Sequence, residues 1–267
     1  MSYREQTQSK QHSSKGYRSL VLDLDGTLIG RDEKIAPRVY DQVIEVKKII
    51  EVSIASGREP KDVVRFARNL GLTTLQITDN GALILDPKNG NKIWSAPLGN
   101  DRAQVIIDKL VTEDLVFIAQ HATGSITNAS MINDHIITCV SALDMNESDA
   151  DQLVSHFRFD LSLNVVKVIL PYNDKWAVDF TLNGIDKGTA LLRLAYLKRI
   201  NPNQIITVGD SYNDLALLRC SGLGIAMGDA PKELKDLADF VAPTLDNDGL
   251  AVAIQEFILP MIRESHG

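Results

Sequence analysis

Short apolar runs that stop abruptly at a carboxylate or a small polar residue punctuate this chain. The first, Ser19-Leu20-Val21-Leu22, ends on Asp23. Such a run predicts a strand buried on both faces, with a functional residue at its C-terminal tip. Gly26 and Thr27 break it, and helical spacing follows over 37–50, with Pro37 suited to a first helical turn. A second strand is predicted over 51–55, stopping at Ser56-Gly57-Arg58. A helix over 60–70 is closed by Gly71, and a third strand over 73–78 runs into Asp79-Asn80-Gly81. Strand, helix, strand, helix, strand implies right-handed crossovers and a doubly wound, Rossmann-like parallel sheet of the α/β class.

The pattern then changes. Segments 114–119 and 125–129 flank a turn at Thr123-Gly124, and 165–170 and 176–182 flank Pro171-Tyr172-Asn173-Asp174. These read as antiparallel hairpins. With helical spacing over 101–111 and 147–157 they predict an inserted α+β unit. After Gly184 the first pattern resumes: helix 187–198, strand 204–208, a helix from 213, strand 224–226, helix 231–237, strand 240–242 and helix 249–258. The predicted organisation is one core, residues 17–84 and 184–267, interrupted by an insert over 85–183. The polar, Gln-, Ser- and Lys-rich segment 1–16 reads as a disordered tail.

Composition adds limits rather than a function. With 267 residues, 44% of them hydrophobic and 24% charged, the chain can bury a full core. Its net charge of −7 and the absence of a basic run argue against a nucleic-acid partner. No segment reaches the roughly 18 apolar residues of a membrane span, and the N-terminus lacks the apolar stretch of a secretory signal. Cys139 and Cys220, far apart, form neither a disulfide framework nor a metal-ligand pair. Two reduced packing thiols fit a cytoplasmic protein. The oligomeric state is not legible.

The chemistry concentrates at strand tips. Asp23-Leu24-Asp25-Gly26-Thr27 places two acids at i and i+2 where ligands bind an open α/β sheet. Taken alone, this string could be a solvated turn. Gly209-Asp210-Ser211-Tyr212-Asn213-Asp214 follows a second apolar run, 205–208, with two more acids. A helix cap and first-turn acid would account for one of them but not both. Four carboxylates at two tips repel one another unless a hard cation sits among them, and oxygen ligands without His or Cys favour Mg²⁺. Ser56 and Lys187 are each ordinary by themselves, a loop hydroxyl and a solvated lysine. Their value lies in chain order: acid pair, hydroxyl, lysine, acid pair.

In that order the strings resemble the haloacid dehalogenase-like superfamily, and within it the Cof-like phosphatases. The resemblance rests on residues 21–28, Ile54-Ala55-Ser56-Gly57-Arg58, Asp79-Asn80-Gly81-Ala82, Lys187-Gly188, residues 209–214, residues 224–231 and residues 246–251. It implies a phosphatase acting on a small phosphorylated metabolite such as a sugar phosphate, with the insert serving as a type IIB-like cap. It further implies Asp23 as nucleophile, Asp25 as general acid and base, and Ser56 and Lys187 on the phosphoryl oxygens. Mg²⁺ would be held by the side chains of Asp23 and Asp210 and the backbone carbonyl of Asp25. Gly57, Arg58, Asn80, Asn213 and Asp214 would contact substrate or support the metal shell. In the insert, His121, Lys167 and Asp179 are polar candidates, each expected at the surface. Two readings remain open: hydrolysis, or transfer of the phosphoryl group to a sugar as in a mutase using the same intermediate.

Overall fold

The computed structural model describes residues 16–170 and 172–266. The predicted tail, but for Gly16, lies outside them, as does Pro171 of the predicted turn.

Strand β1 (Ser19–Leu22) is buried throughout, and its alternation decides the layers. Leu20 and Leu22 pack with α1 (Pro37–Val46), β2 (Glu51–Ile54) and α2 (Pro60–Asn69), while Val21 turns to the opposite face. After β2 come β3 (Gln76–Thr78), β4 (Leu83–Leu85) and β5 (Lys92–Ser95). Helix α3 (Asn100–Thr112) leads to β6 (Phe117–His121), β7 (Gly124–Ile126) and β8 (Ile137–Met145). Helix α4 (Glu147–Phe157), β9 (Leu163–Ile169) and β10 (Trp176–Leu182) complete the middle of the chain. The last part holds α5 (Lys187–Lys198), β11 (Ile205–Gly209), α6 (Leu215–Arg219), β12 (Leu223–Ala226), α7 (Lys232–Leu237) and β13 (Phe240–Val241). A C-terminal helical run, α8 (Gly249–Ala253) to α9 (Leu259–His266), closes on the α1 side through a π-helical turn.

The first sheet is parallel in the order β13-β12-β11-β1-β2, with α5 and α6 on the Val21 face. This is the doubly wound α/β core expected from the sequence. Register aligns its tips, because Leu22 lies opposite both Val208 and Ile54. Asp23, Ala55 and Gly209 therefore emerge side by side at one edge.

The third expected strand behaves differently. It joins β2 by a single parallel bridge, Ala55 to Ile77, and pairs antiparallel with β4, which pairs with β5. The Gln76 side chain explains the break. Its Oε1 accepts from the Ile54 amide at 2.6 Å, taking a place that a β3 carbonyl would fill, and its Nε2 donates to Thr74 O at 2.7 Å. Hairpin β4–β5 thus extends the edge beyond β2 and does not join the second sheet.

That second sheet is antiparallel in the order β7-β6-β8-β10-β9. Strand β8, unassigned in the sequence reading, is its centre. One face, including Ala119, Val140, Val178 and Phe180, packs on α3 and α4. The other face looks toward the strand tips of the first sheet. Gln120 Nε2 donates to Gly57 O at 2.8 Å, and Arg31 pairs with Asp174 at 2.9 Å across two exposed side chains. Among the described residues no helix is long and apolar enough to cross a membrane.

Candidate active site

The turn after β1 is shaped by backbone bonds from Leu28 N and Ile29 N to Leu24 O, both 2.9 Å, and from Gly26 N to Ile29 O at 3.0 Å. Gly26 has φ +77°, and a Cβ there would lie 2.2 Å from Asp210 Oδ2. Only glycine combines that backbone with so close an approach of the second acid. Thr27 Oγ1 also donates to Asp210 Oδ1, at 3.3 Å.

Lys187 starts α5 behind a capping box of Asp186 and Thr189. It is 1% exposed, contrary to the usual fate of a lysine. Its Nζ donates to Asp23 Oδ1 at 2.5 Å and to Asp214 Oδ1 at 2.8 Å. Asp214 Oδ2 accepts from the amides of Asp210 and Ser211, at 3.0 and 3.1 Å. Both Asp214 oxygens are thereby engaged, so the residue braces the lysine and the turn.

Carboxylate oxygens of Asp23, Asp210 and Asp214 lie within 4.8 Å of one another, an arrangement that could hold a metal ion. Burial, then the Asp214 charge, pushes the Asp23 carboxyl above its usual range despite Lys187. Burial and the nearby Asp23 charge push Asp210 up as well. Two oxygen donors forced together and desolvated fit a hard divalent cation, whose charge would offset their mutual repulsion. With Asp214 committed to Lys187 and two amides, the oxygens open to a cation are those of Asp23 and Asp210. The Asp25 carboxylate is not one of these oxygens; Arg58 holds it instead.

Asp25 meets Arg58 in a two-pronged pair: Nε to Oδ2 at 2.9 Å and Nη2 to Oδ1 at 2.7 Å. Arg58 also reaches Glu33 Oε1 at 2.9 Å. Ser56 is fully buried, and its Oγ accepts from Arg58 N at 3.0 Å, leaving the hydroxyl proton free to donate elsewhere. Gly57 and Arg58 line a cavity of about 290 Å³ together with Asp23, Asp25, Lys187 and Asp210.

Asp79, Asn80 and Gly81 all have positive φ, at 53°, 51° and 98°. Asn and Asp tolerate that region better than other side chains, and glycine freely. The turn points both acid and amide at the second sheet. Asn80 Nδ2 donates to Asp179 Oδ2 at 2.7 Å and its Oδ1 accepts from Asn213 Nδ2 at 2.9 Å. Thr138 Oγ1 donates to Asp79 Oδ2 at 2.7 Å.

Of the insert candidates, Asp179 is buried on the cavity wall rather than at the surface, because β10 carries it to the junction. His121 is also buried, stacked on His135 at 3.8 Å between ring centroids. Lys167 lies half-buried over the Trp176 ring, paired with Asp151 and Glu147. Neither borders the cavity. Sequence reasoning missed the Arg58–Asp25 pair and the Asn80–Asp179 link. For the latter, the signal was Asp179 alternating with apolar Val178 and Phe180 in a strand.

Asp79 yields a test of the junction. Burial first, then the Glu59 charge, raises its carboxyl from 3.8 to about 8, so it is neutral in the folded protein at pH 7. A raised acid lends stability fully below its unfolded value and loses it as pH climbs through the folded value. Asp79→Asn, which keeps the shape without the charge, is expected to gain on the wild type by about 1.4 kcal/mol per pH unit between pH 5 and 7. Urea unfolding at pH 5, 6 and 7 in EDTA measures it, and parallel pH dependences would refute it.

Comparison with known proteins fits this geometry. Residues 20–138 and 122–254 match the haloacid dehalogenase-like hydrolase family, and the chain belongs to it. Among curated relatives, the 5-amino-6-(5-phospho-D-ribitylamino)uracil phosphatase YcsE of Bacillus subtilis is 27% identical, covering 94% of this chain and 100% of that protein. Among solved structures, a haloacid dehalogenase-like hydrolase from B. subtilis superimposes with a TM-score of 0.78 at 21% identity, over 90% of this chain and 99% of the other. A sugar phosphatase of subclass IIB, BT4131, gives 0.76 at 18% identity, over 91% and 99%.

Proposed function

We propose that this chain is a Mg²⁺-dependent phosphomonoesterase that releases phosphate from a small phosphorylated metabolite through an aspartyl-phosphate on Asp23. The observation that carries the reading is the Asp23 carboxylate held by buried Lys187 beside Asp210, on aligned strand tips. The phosphatase names of relatives support it.

In this reading Asp23 Oδ attacks phosphorus and the alcohol leaves, which divides one displacement into two. Lys187 fixes the Asp23 rotamer and, with the Ser56 hydroxyl, meets the charge spread over the phosphoryl oxygens. Asp25 gives a proton to the departing oxygen and later takes one from water. Both Asp25 oxygens accept from Arg58, so one prong must open before the carboxyl can reach the leaving group. The side chains of Asp23 and Asp210 and the carbonyl of Asp25 would hold Mg²⁺, which offsets repulsion between carboxylate and phosphate. Asn80 and Asn213 tie the site to the second sheet, which acts as the cap, excluding water over the reacting centre.

Chelation tests the proposal. Hydrolysis of p-nitrophenyl phosphate is expected to vanish in EDTA and to return with Mg²⁺. Full activity in a rigorously metal-free preparation would sink it.

A further inference from the structure

The cavity is polar at one end and apolar at the other, and the division follows from β pairing. Ile118 and Gln120 of β6, Ser141 and Leu143 of β8, and Ala177 and Asp179 of β10 share the face turned to the strand tips. Register sets Ile118 beside Ser141 and Ser141 beside Asp179. Ala177 lies opposite Val168, with Leu143 on the same wall. Farther from Asp179, the wall is therefore aliphatic.

Charge on the lining is one-sided. Its acids are Asp23, Asp25, Glu33, Glu59, Asp62, Asp179 and Asp210, and its cations are Arg58 and Lys187. Both cations are committed, Arg58 to Asp25 and Glu33, Lys187 to Asp23 and Asp214. The wall contributed by the second sheet has no lysine, arginine or histidine among its described residues. A second anionic group on a substrate would meet acids and apolar side chains there and no uncommitted cation of the chain.

The polar groups of that wall are neutral or acidic: the hydroxyls of Ser125, Ser141 and Tyr172, the Gln120 amide and the Asp179 carboxyl. Gln120 Nε2 is held by Gly57 O, while its Oε1 is buried without a partner. Asp179 Oδ2 is likewise an acceptor. None of these groups carries a positive charge to offset a carboxylate or phosphate on the leaving group.

We propose, building on the phosphomonoesterase reading above, that the leaving group is an uncharged, largely apolar alcohol, and that the cap wall rejects esters bearing a second anion. The apolar body lies against Ile118, Leu143, Val168 and Ala177.

Steady-state kinetics with Mg²⁺ provide the test. The panel is 2-phenylethyl phosphate against 2-phosphoglycolate and fructose 1,6-bisphosphate, with p-nitrophenyl phosphate as the control for phosphatase activity. The expected kcat/KM for 2-phenylethyl phosphate exceeds that for either anionic ester by on the order of a hundredfold. Leu143→Lys, or Ile118→Lys if the first fails to fold by thermal melting, is expected to narrow the gap about tenfold by raising phosphoglycolate turnover. Hydrolysis of the control with the anionic esters preferred would overturn this inference alone. So would a folded lysine variant that leaves the gap unchanged. No hydrolysis of the control by the wild type would overturn the phosphatase reading and this inference with it.

Discussion

Asp23→Asn is expected to lower kcat by on the order of 10⁴-fold or more, because the attacking oxygen is gone and no covalent phosphate can form there. The same change should spare the fold. A carboxamide oxygen still accepts from Lys187, and one charge leaves a cluster in which Asp214 pushes the Asp23 carboxyl upward and Asp23 pushes that of Asp210. In EDTA the variant should therefore melt no lower than the wild type. Activity within a factor of ten of wild type would remove Asp23 from the nucleophile's role. A large fall in melting temperature would mean that the loss reports misfolding instead.

Asp25→Asn has a different signature. The nucleophile remains, but the proton donor to the leaving oxygen is lost, and alkyl phosphates should slow by ~10²–10⁴-fold. A p-nitrophenolate departs without that proton, so the first step still runs. Water attack then lacks its base, and the phosphorylated enzyme accumulates. Rapid mixing should give a burst of nitrophenolate followed by slow turnover, with the phosphate found by mass spectrometry on the peptide containing Asp23. Wild-type rates on alkyl esters, or phosphate on another peptide, would show that the roles are misassigned.

The division between what the sequence displays and what it hides has a physical basis. The core was legible because a strand buried on both faces is a continuous apolar run, and its end is marked by the first carboxylate. Asp23, Ser56 and Asp210 each follow such a run, and the register of β1 with β2 and β11 brings the runs level. Lys187 was found by chain order alone; nothing in its neighbours predicts 1% exposure. β8 escaped because residues 136–143 are mostly apolar without a regular alternation, a pattern that a buried helix shares. The pairing of β3 with β4 turned on one glutamine side chain in a seam between strands, which no periodicity records. Arg58 on Asp25 joins the tips of two neighbouring strands 33 positions apart, and Asn80 on Asp179 joins the two sheets across 99 positions, so neither pair is written in any local pattern.

The register of β1 has a consequence for how the chain is made. Ser19 lies against Glu51 on one side and Ile205 on the other. During synthesis the Glu51 partner follows within a helix and a turn, whereas the Ile205 partner emerges only after the whole second sheet. Pairing across that separation is slow to form, and until it does β1 shows a bare edge to other nascent chains. Lys187, Asp210 and Asp214 arrive in the same late segment as β11. A growing polypeptide can thus fold its antiparallel sheet while Asp23 still lacks the lysine that holds it and the two acids that crowd it.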